Sequence, residues 1–169
     1  MAASGLDPST LFPFPLDDFQ LEAIDALNQG HSVVVSAPTG SGKTLVGEYA
    51  IHRALAHGQK VFYTTPLKAL SNQKLRDFRE AYGDDNVGLM TGDLSVNREA
   101  SIVVMTTEIF RNMLYAEASE QDDPLADVEA VVLDECHYMN DSQRGTVWEE
   151  SIIHCPPSVQ LVALSATVA

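Results

Sequence analysis

The stretch Val33-Val34-Val35-Ser36-Ala37-Pro38-Thr39-Gly40-Ser41-Gly42-Lys43-Thr44 decides the fold. An apolar, β-branched run leads into a glycine-rich turn, and helix-forming residues follow at 45–50. The glycines allow backbone N–H groups to turn inward, where side chains would otherwise block a polyphosphate. The order of strand, glycine-rich loop and helix is the one that a phosphate-binding site requires.

Two side chains of this loop carry the chemistry of nucleotide binding. Lys43 supplies a mobile positive charge for the β- and γ-phosphates, and the Thr44 hydroxyl is able to bind Mg²⁺. A glycine-rich turn that binds nothing is the alternative, but the strand and the helix that flank the loop argue against it. We therefore expect a site for ATP and Mg²⁺ that is formed by Thr39, Gly40, Ser41, Gly42, Lys43 and Thr44.

The composition limits the partners of the chain. Its 169 residues are enough for one domain, and 10 basic residues stand against 24 acidic ones, which gives a net charge of −14. Because phosphate contacts need Lys and Arg, either nucleic acid is not the partner or the domain contributes a small patch to a larger groove. Cys136 and Cys155 form neither a metal motif nor a disulfide framework, which favours reduced thiols in a cytosolic protein. No apolar run approaches membrane-spanning length, so we expect no membrane contact.

A second group of chemically active side chains follows the apolar run 130–133. Two adjacent acids, Asp134 and Glu135, at the end of a buried strand are unfavourable unless a cation or a reaction needs them. We expect Asp134 to hold Mg²⁺ through water and Glu135 to orient or deprotonate the attacking water. His137 is not in ligand spacing with another His or Cys, so coupling across a domain interface is favoured over metal binding.

Polar residues also follow the other apolar strands. Thr65 and Pro66 predict the N-cap and first turn of a helix that reaches about Ala81, and Thr107 predicts the N-cap of another helix. Such strand ends and helix starts offer hydroxyl and N–H groups to a sugar–phosphate backbone. Capped helices with solvated faces are the alternative. The candidates for contact with nucleic acid are Thr64, Pro66, Lys68, Asn72, Thr91, Gly92, Thr106 and Arg111.

The N-terminal part contains an aromatic residue and an amide side chain at a spacing that is compatible with binding of adenine. Asp17 is able to cap a helix over 18–28, which Gly30 ends, and Gln20 lies on that helix. Phe14 precedes Gln20 by six positions. A ring can stack on a base while an amide reads the donor and acceptor edge of adenine. Core packing is the alternative for the aromatic residues of this segment.

Several of these runs resemble the motifs of superfamily 2 helicases. The loop form Ala37-Pro38-Thr39 is similar to the phosphate-binding loop of that superfamily, and the spacing from Phe14 to Gln20 resembles its Q-motif. Residues 64–74 resemble motif Ia. The run 165–167 resembles motif III, which implies a coupling role for Ser165 and Thr167 beside His137.

The residues around the acidic pair narrow the resemblance. Asp134-Glu135-Cys136-His137 and the runs 138–141 and 144–150 resemble the superkiller-type DExH-box RNA helicases, most closely their cyanobacterial and chloroplast branch. This implies ATP hydrolysis coupled to binding and unwinding of single-stranded RNA, in the cytoplasm of a bacterium. Residues 1–16 would be an N-terminal segment with the Q-motif aromatic residue, and 17–169 the first RecA-like ATP-binding domain. The second RecA-like domain is not in the chain, so we expect a monomeric fragment that is nearly inactive alone.

The resulting expectation for the fold is a three-layer α/β, RecA-like P-loop NTPase domain with a mostly parallel sheet. Its strands are predicted at 33–36, 61–64, 102–106, 131–134 and 160–165. Functional residues should line the carboxyl edge of that sheet. A DNA helicase or translocase remains an alternative because DExH motifs serve both nucleic acids, and a nucleotide-gated scaffold without hydrolysis is another.

Overall fold

The computed structural model describes residues 18–37, 44–92, 94–97, 99–117, 127–134 and 159–166. The helices are α1 (Asp18–Asn28), α2 (Thr44–Ala56), α3 (Lys68–Tyr82) and α4 (Thr107–Glu117), with a 3₁₀ helix at Asp84–Asn86. The strands are β1 (Val33–Ala37), β2 (Lys60–Thr65), β3 (Val87–Met90), β4 (Ser95–Val96), β5 (Ile102–Thr106), β6 (Val128–Leu133) and β7 (Gln160–Ala166). None of the helices in these ranges is long and apolar enough to cross a membrane.

The strands of the described residues form one seven-stranded sheet in the order β1-β7-β6-β2-β5-β3-β4. All neighbouring strands are parallel except β3 and β4, which pair antiparallel. The order departs from the chain sequence because parallel neighbours need crossover connections, which the helices provide. The mostly parallel sheet that the sequence predicts is therefore confirmed.

Both faces of the sheet are covered, so the domain has three layers. Along β2, Tyr63 packs in the cluster that contains Tyr49 of α2 and Phe78 of α3, whereas Phe62 packs in the cluster that contains Phe110 of α4. Alternate side chains of a strand point to opposite faces, so one apolar run serves both clusters. Helices α1, α2 and α3 thus cover one face of the sheet, and α4 covers the other.

Two predicted helix caps are wrong. Helix α3 begins at Lys68 with Leu67 as its N-cap, and no side chain caps it. Thr65 is instead the last residue of β2, and its hydroxyl donates to the carbonyl oxygen of Leu67 at 2.9 Å. Thr107 lies inside α4 and its hydroxyl donates to the carbonyl oxygen of Thr65 at 3.1 Å. The Thr65 hydroxyl is used by a carbonyl oxygen two residues along the chain and the Thr107 hydroxyl by one 42 residues away, so neither hydroxyl caps its predicted helix.

The run 87–91 predicts a short strand, which β3 confirms, but the hairpin that β3 forms with β4 at the edge of the sheet was not predicted from the sequence. Strand β4 has two residues and pairs antiparallel with β3. The backbone approach is so close that a Cβ atom on Gly88 would lie 2.1 Å from the carbonyl oxygen of Asn97. Only glycine fits there. The sequence also predicts a helix over 145–154, which Pro156 and Pro157 would end, and this helix lies outside the described residues.

Candidate functional site

The parallel strands bring two of the predicted groups to one edge of the sheet. Strand β1 ends at Ala37 and α2 begins at Thr44, while Asp134 follows the last residue of β6. Strand β7 lies between β1 and β6 and is parallel to both. Neighbouring strands are about 4.8 Å apart, so the ends of β1 and β6 are separated by roughly 10 Å. That separation is compatible with one nucleotide between them.

Asp134 is almost completely buried, with 3% of its surface exposed. Its backbone N–H donates to the carbonyl oxygen of Thr64 at 2.9 Å, which fixes the residue beside β2. Its Oδ2 atom accepts a hydrogen bond from the Tyr63 hydroxyl at 2.5 Å and lies 3.9 Å from Nζ of Lys74. Its Oδ1 atom is buried and has no hydrogen-bond partner among the described residues.

This arrangement leaves one carboxylate oxygen available to a cation. A buried charged oxygen without a partner is costly, and a bound cation removes that cost. No group of three or more His, Cys, Asp or Glu side chains converges on a metal position in the part of the chain that the structure describes. Mg²⁺ does not need such a group, because it is held by one or two carboxylates together with water and substrate phosphates. Oδ1 of Asp134 therefore fits Mg²⁺.

Titratable side chains of α2 and α3 lie on the face of the sheet that Asp134 adjoins. Burial raises the pKa of the Glu48 carboxyl, and the nearby positive charge of Lys74 offsets part of the rise. Burial and the charge of Glu48 raise the pKa of Tyr82 to about 12. Burial lowers the pKa of His52, whose Nε2 lies 3.4 Å from the Tyr82 hydroxyl. Lys74 thus lies within ion-pair distance of Asp134, and its charge also acts to lower the pKa of Glu48.

The prediction that Thr64 contacts nucleic acid requires a correction. The Thr64 side chain is completely buried, and its hydroxyl donates to the carbonyl oxygen of Val132 at 2.9 Å. That hydroxyl joins β2 to β6 and does not reach a sugar–phosphate backbone. The apolar run before Thr64 predicts that β2 ends at Thr64, but β2 extends one residue further, to Thr65.

The remaining nucleic-acid candidates lie at the carboxyl edge of the sheet. Lys68 and Gly92 are exposed, and Pro66, Asn72, Thr106 and Arg111 are half-buried. Thr91 is buried, and its hydroxyl has no hydrogen-bond partner among the described residues. The N-termini of α3 and α4 follow β2 and β5, which are neighbours in the sheet, so the two helix starts lie next to each other. Backbone N–H groups at such starts attract anions.

Comparison with known families identifies the domain. The family model described as "DEAD/DEAH box helicase" matches residues 17–169. This chain belongs to the DEAD/DEAH box helicase family. The sequence predicts an ATP-binding, P-loop helicase domain of the DExH type, and membership of this family confirms that prediction.

The curated relatives that match this helicase domain are much longer than the chain. The chloroplastic DExH-box ATP-dependent RNA helicase DExH15 of Arabidopsis thaliana is 59% identical over 162 residues, which are 95% of this chain and 14% of the relative. The probable helicase HelY of Mycobacterium tuberculosis is 59% identical over 92% of this chain and 17% of its own length. The antiviral helicase SKI2 of Saccharomyces cerevisiae is 53% identical over 96% of this chain and 12% of its own length. The predicted resemblance to superkiller-type helicases is confirmed, and the chain spans less than a fifth of these relatives.

Solved helicase structures share the fold. The DUF1998 helicase MrfA bound to DNA and AMPPNP superposes with a TM-score of 0.72 at 20% identity, over 95% of this chain and 25% of that chain. The Mycobacterium smegmatis helicase Lhr bound to ssDNA and AMP-PNP gives a TM-score of 0.68 at 29% identity, over 95% of this chain and 24% of that chain. The helicase domain therefore has the RecA-like α/β fold that the sequence predicts.

Several predicted site residues of the helicase domain lie outside the described residues. They are Phe14, Thr39, Gly40, Ser41, Gly42, Lys43, Glu135, His137 and Thr167. Thr44 begins α2 and Ser165 pairs with Ser36 between β7 and β1, but their side chains are not described either. Gln20 is 4% exposed on the buried face of α1, beside Ala23 and Ile24. The predictions for all of these side chains remain predictions.

Two residues that contact Asp134 were not predicted from the sequence. Tyr63 looks like an ordinary core aromatic of β2, and Lys74 looks like a solvated cation of α3. The alternation of β2 indicates that Tyr63 points to the same face as α3. Nothing in the sequence indicates that its hydroxyl meets a residue 71 positions away.

Proposed function

We propose that the chain is the first RecA-like domain of an ATP-dependent RNA helicase of the superkiller type. In this proposal the domain binds Mg-ATP and hydrolyses it when joined to a second RecA-like domain, and hydrolysis drives unwinding of RNA in the bacterial cytoplasm. One observation carries the proposal: Oδ1 of buried Asp134, which has no hydrogen-bond partner among the described residues, lies at the same sheet edge as the helix that begins at Thr44. The family and the high identity to named RNA helicases support it.

The residues of the chain have separate roles in the nucleotide site. Asp134 and the Thr44 hydroxyl hold Mg²⁺, which when bound neutralises charge on the phosphates. Lys43 binds the β- and γ-phosphates, and Glu135 orients the attacking water or takes its proton. The loop amides of 39–42 bind phosphate oxygens. Phe14 and Gln20 bind adenine, while His137, Ser165 and Thr167 couple the site to the second domain.

A separate strip of the same edge binds the nucleic-acid backbone in this proposal. Its residues are Pro66, Lys68, Asn72, Thr91, Gly92, Thr106 and Arg111. The net charge of −14 limits the strength of this strip, because affinity for nucleic acid depends on the number of phosphates neutralised. The second domain therefore supplies much of the basic groove.

RNA is favoured over DNA as the partner, although a DNA helicase is a second candidate. Relatives named as RNA helicases are 52–59% identical to this chain, whereas Lhr, whose structure holds ssDNA, is 29% identical. Contacts to phosphates do not distinguish the two, but a contact to the 2′-hydroxyl does. Stimulation of ATP hydrolysis by RNA and by DNA of one sequence, measured on the protein with its second RecA-like domain, distinguishes them.

Magnesium dependence of nucleotide binding tests the site in the 169-residue chain. We expect Mg²⁺ to strengthen the binding of a fluorescent ATP analogue, and Asp134→Asn to weaken the magnesium effect by at least about tenfold. Asp84→Asn, which removes an exposed acid of the 3₁₀ helix, is the matched control and should behave as wild type. If Asp134→Asn keeps the full magnesium effect, the proposed metal site is wrong.

Hydrolysis itself needs the longer protein. An arginine finger, which this proposal places in the second domain, contributes roughly 10³–10⁵ in turnover in related P-loop enzymes. The 169 residues alone should therefore hydrolyse ATP negligibly. In the longer protein, Glu135→Gln should stop turnover and spare nucleotide binding; turnover that survives would favour another residue as the one that activates water.

A further inference from the structure

Tyr63 donates a hydrogen bond to the carboxylate that the proposed function assigns to Mg²⁺. Its hydroxyl lies 2.5 Å from Oδ2 of Asp134, although the two residues are 71 positions apart in the chain. Nζ of Lys74 lies 3.9 Å from the same oxygen, which is too far for a hydrogen bond. The Tyr63 hydroxyl therefore gives Oδ2 a directional contact, and Lys74 adds a positive charge beside it.

The ring of Tyr63 is held in place by the core. The residue is 1% exposed, and its ring meets the Phe78 ring edge-on, with centroids 4.9 Å apart and planes at 77°. Helix α2 also approaches the ring, because a Cβ atom on Gly47 would lie 3.6 Å from Cε2 of Tyr63. A side chain that is packed in this way has little freedom, so its hydroxyl has a fixed position.

The hydrogen bond to Oδ2 sets the direction of the other carboxylate oxygen. The terminal torsion of an aspartate has a broad distribution when no contact holds it. The backbone N–H of Asp134 donates to the carbonyl oxygen of Thr64 at 2.9 Å, which fixes the main chain, and the Tyr63 hydroxyl fixes the plane of the carboxylate. Oδ1 is buried and has no hydrogen-bond partner among the described residues. Its direction is thus set from the side of Oδ2.

A purely structural role for the Tyr63 hydroxyl is the alternative, since a buried tyrosine hydroxyl needs a partner in any protein. Tyr49, which is completely buried in the same apolar cluster, illustrates this role. Its hydroxyl donates to Oδ1 of Asn28 at 2.9 Å and so joins α2 to the end of α1. The two tyrosines differ in their acceptors, because only that of Tyr63 is a carboxylate of the proposed metal site.

We propose that Tyr63 is a positioning residue for the divalent cation: it holds the carboxylate of Asp134 so that Oδ1 points to the cation or to a water molecule bound to it. This inference rests on the proposed function, because it takes Asp134 as a metal-binding residue. Mg²⁺ demands near-ideal octahedral geometry, whereas Ca²⁺ accepts oxygen ligands in flexible arrangements. The orientation of Oδ1 therefore matters more for Mg²⁺ than for Ca²⁺.

The Tyr63→Phe variant tests this role, because it removes the hydroxyl and leaves the ring and the net charge unchanged. The assay measures the concentrations of Mg²⁺ and of Ca²⁺ that give half of their effect on the binding of a fluorescent ATP analogue to the 169-residue chain. For Tyr63→Phe we expect the Mg²⁺ concentration to rise by about tenfold or more, which is the usual result of removing a group that orients a metal ligand. The Ca²⁺ concentration should rise by less than about threefold.

The matched control is Tyr49→Phe, which removes the other buried hydroxyl and should leave both concentrations unchanged. A partial loss of folding, or a change in the charge of the Asp134 carboxylate, weakens the binding of both cations alike. The ratio of the Mg²⁺ to the Ca²⁺ concentration therefore reports the orientation of the carboxylate. A thermal unfolding curve of each variant verifies that it is folded.

The outcomes separate this inference from the proposed function. If the wild type responds to Mg²⁺ and Asp134→Asn weakens the response, but Tyr63→Phe keeps the wild-type ratio of the two concentrations, Tyr63 does not orient the carboxylate and the proposed function stands. The inference is also overturned if Tyr63→Phe does not fold, because the hydroxyl then serves the fold. If the wild type does not respond to Mg²⁺, both proposals are overturned.

Discussion

Replacing Arg53 by Met should destabilise the domain far more than the loss of a surface charge does. Arg53 lies in the last turn of α2 and is 7% exposed. Its Nη1 atom donates to Oε2 of Glu129 at 3.1 Å and to Oε1 of Gln160 at 2.8 Å, and its Nε atom donates to Oδ1 of Asn28 at 3.2 Å. One guanidinium group thus joins α1, α2, β6 and β7 at the amino edge of the sheet.

The size of the effect follows from what Arg53→Met leaves behind. Oε1 of Gln160 loses the Arg53 donor, and Glu129 keeps His57 but loses the permanent cation. Removing one partner of a buried ion pair costs about 3–5 kcal/mol, whereas an exposed pair contributes roughly 0.2–1 kcal/mol. For a domain of this size, a loss of about 3–5 kcal/mol lowers Tm by roughly 6–20 °C.

Urea unfolding of the 169-residue chain, followed by circular dichroism, measures this loss, with Tm from a thermal scan beside it. Lys60→Met is the matched control, because Lys60 pairs at 3.5 Å with Glu99, which is 84% exposed. Its cost should stay below about 1 kcal/mol. If Arg53→Met costs no more than the control, the guanidinium group does not hold the four elements together.

A second substitution identifies the cause of the loss. Adding Glu129→Gln to Arg53→Met removes the uncompensated carboxylate and retains the shape of the side chain. Because an unpaired buried charge is the most expensive part of the damage, the double variant should recover part of the lost stability. A double variant that is less stable than Arg53→Met alone would show that packing, and not charge, determines the cost.

Two further changes have defined outcomes in the same unfolding assays. Gly88→Ala places a Cβ against the backbone of Asn97, so it should cost about 1–3 kcal/mol or more, while Gly92→Ala, with open space around its Cβ, should cost less than about 1 kcal/mol. Burial lowers the pKa of His52 below its ordinary value of 6.5, so its stabilising contribution is present above that pH and is lost as the pH falls. The His52→Gln variant should therefore lose less stability than wild type when the pH falls from about 8 to about 5. The control is His31→Gln, which replaces an exposed histidine. Equal slopes of unfolding free energy against pH for wild type and His52→Gln would contradict this prediction.

Local sequence rules predicted the elements whose signals are local. The predicted helix at 18–28 has the observed bounds, because its apolar stripe ends at Leu27 and Gly30 follows shortly after with a φ of 88° that suits glycine. The apolar, β-branched runs likewise indicated β1, β2, β5, β6 and β7, with ends that differ from the structure by at most three residues. In these segments every signal that determines the element lies within a few positions of it.

The side-chain contacts that the sequence did not predict involve partners that are distant in the chain. Thr107 has the residue type of a helix cap, but its hydroxyl donates to a carbonyl oxygen that is 42 positions away. Arg53 meets Gln160 across 107 positions, and nothing near Arg53 separates it from a solvated arginine. The position of Asp134 at the end of an apolar strand could be predicted from the sequence, whereas its contacts with Tyr63 and Lys74 could not.

The buried carboxylates at the two edges of the sheet are paired in different ways. At the amino edge the carboxylate of Glu129 has a cation on one oxygen and His57 on the other, so the network is closed and serves stability. At the carboxyl edge the described residues give Asp134 a donor and a cation on Oδ2, and none of them contacts Oδ1 with a hydrogen bond. A fold selected for stability alone would pair both oxygens in each case. The unpaired oxygen therefore supports the proposed cation site, and its position beyond β6 places that proposed site at the edge where α2 begins.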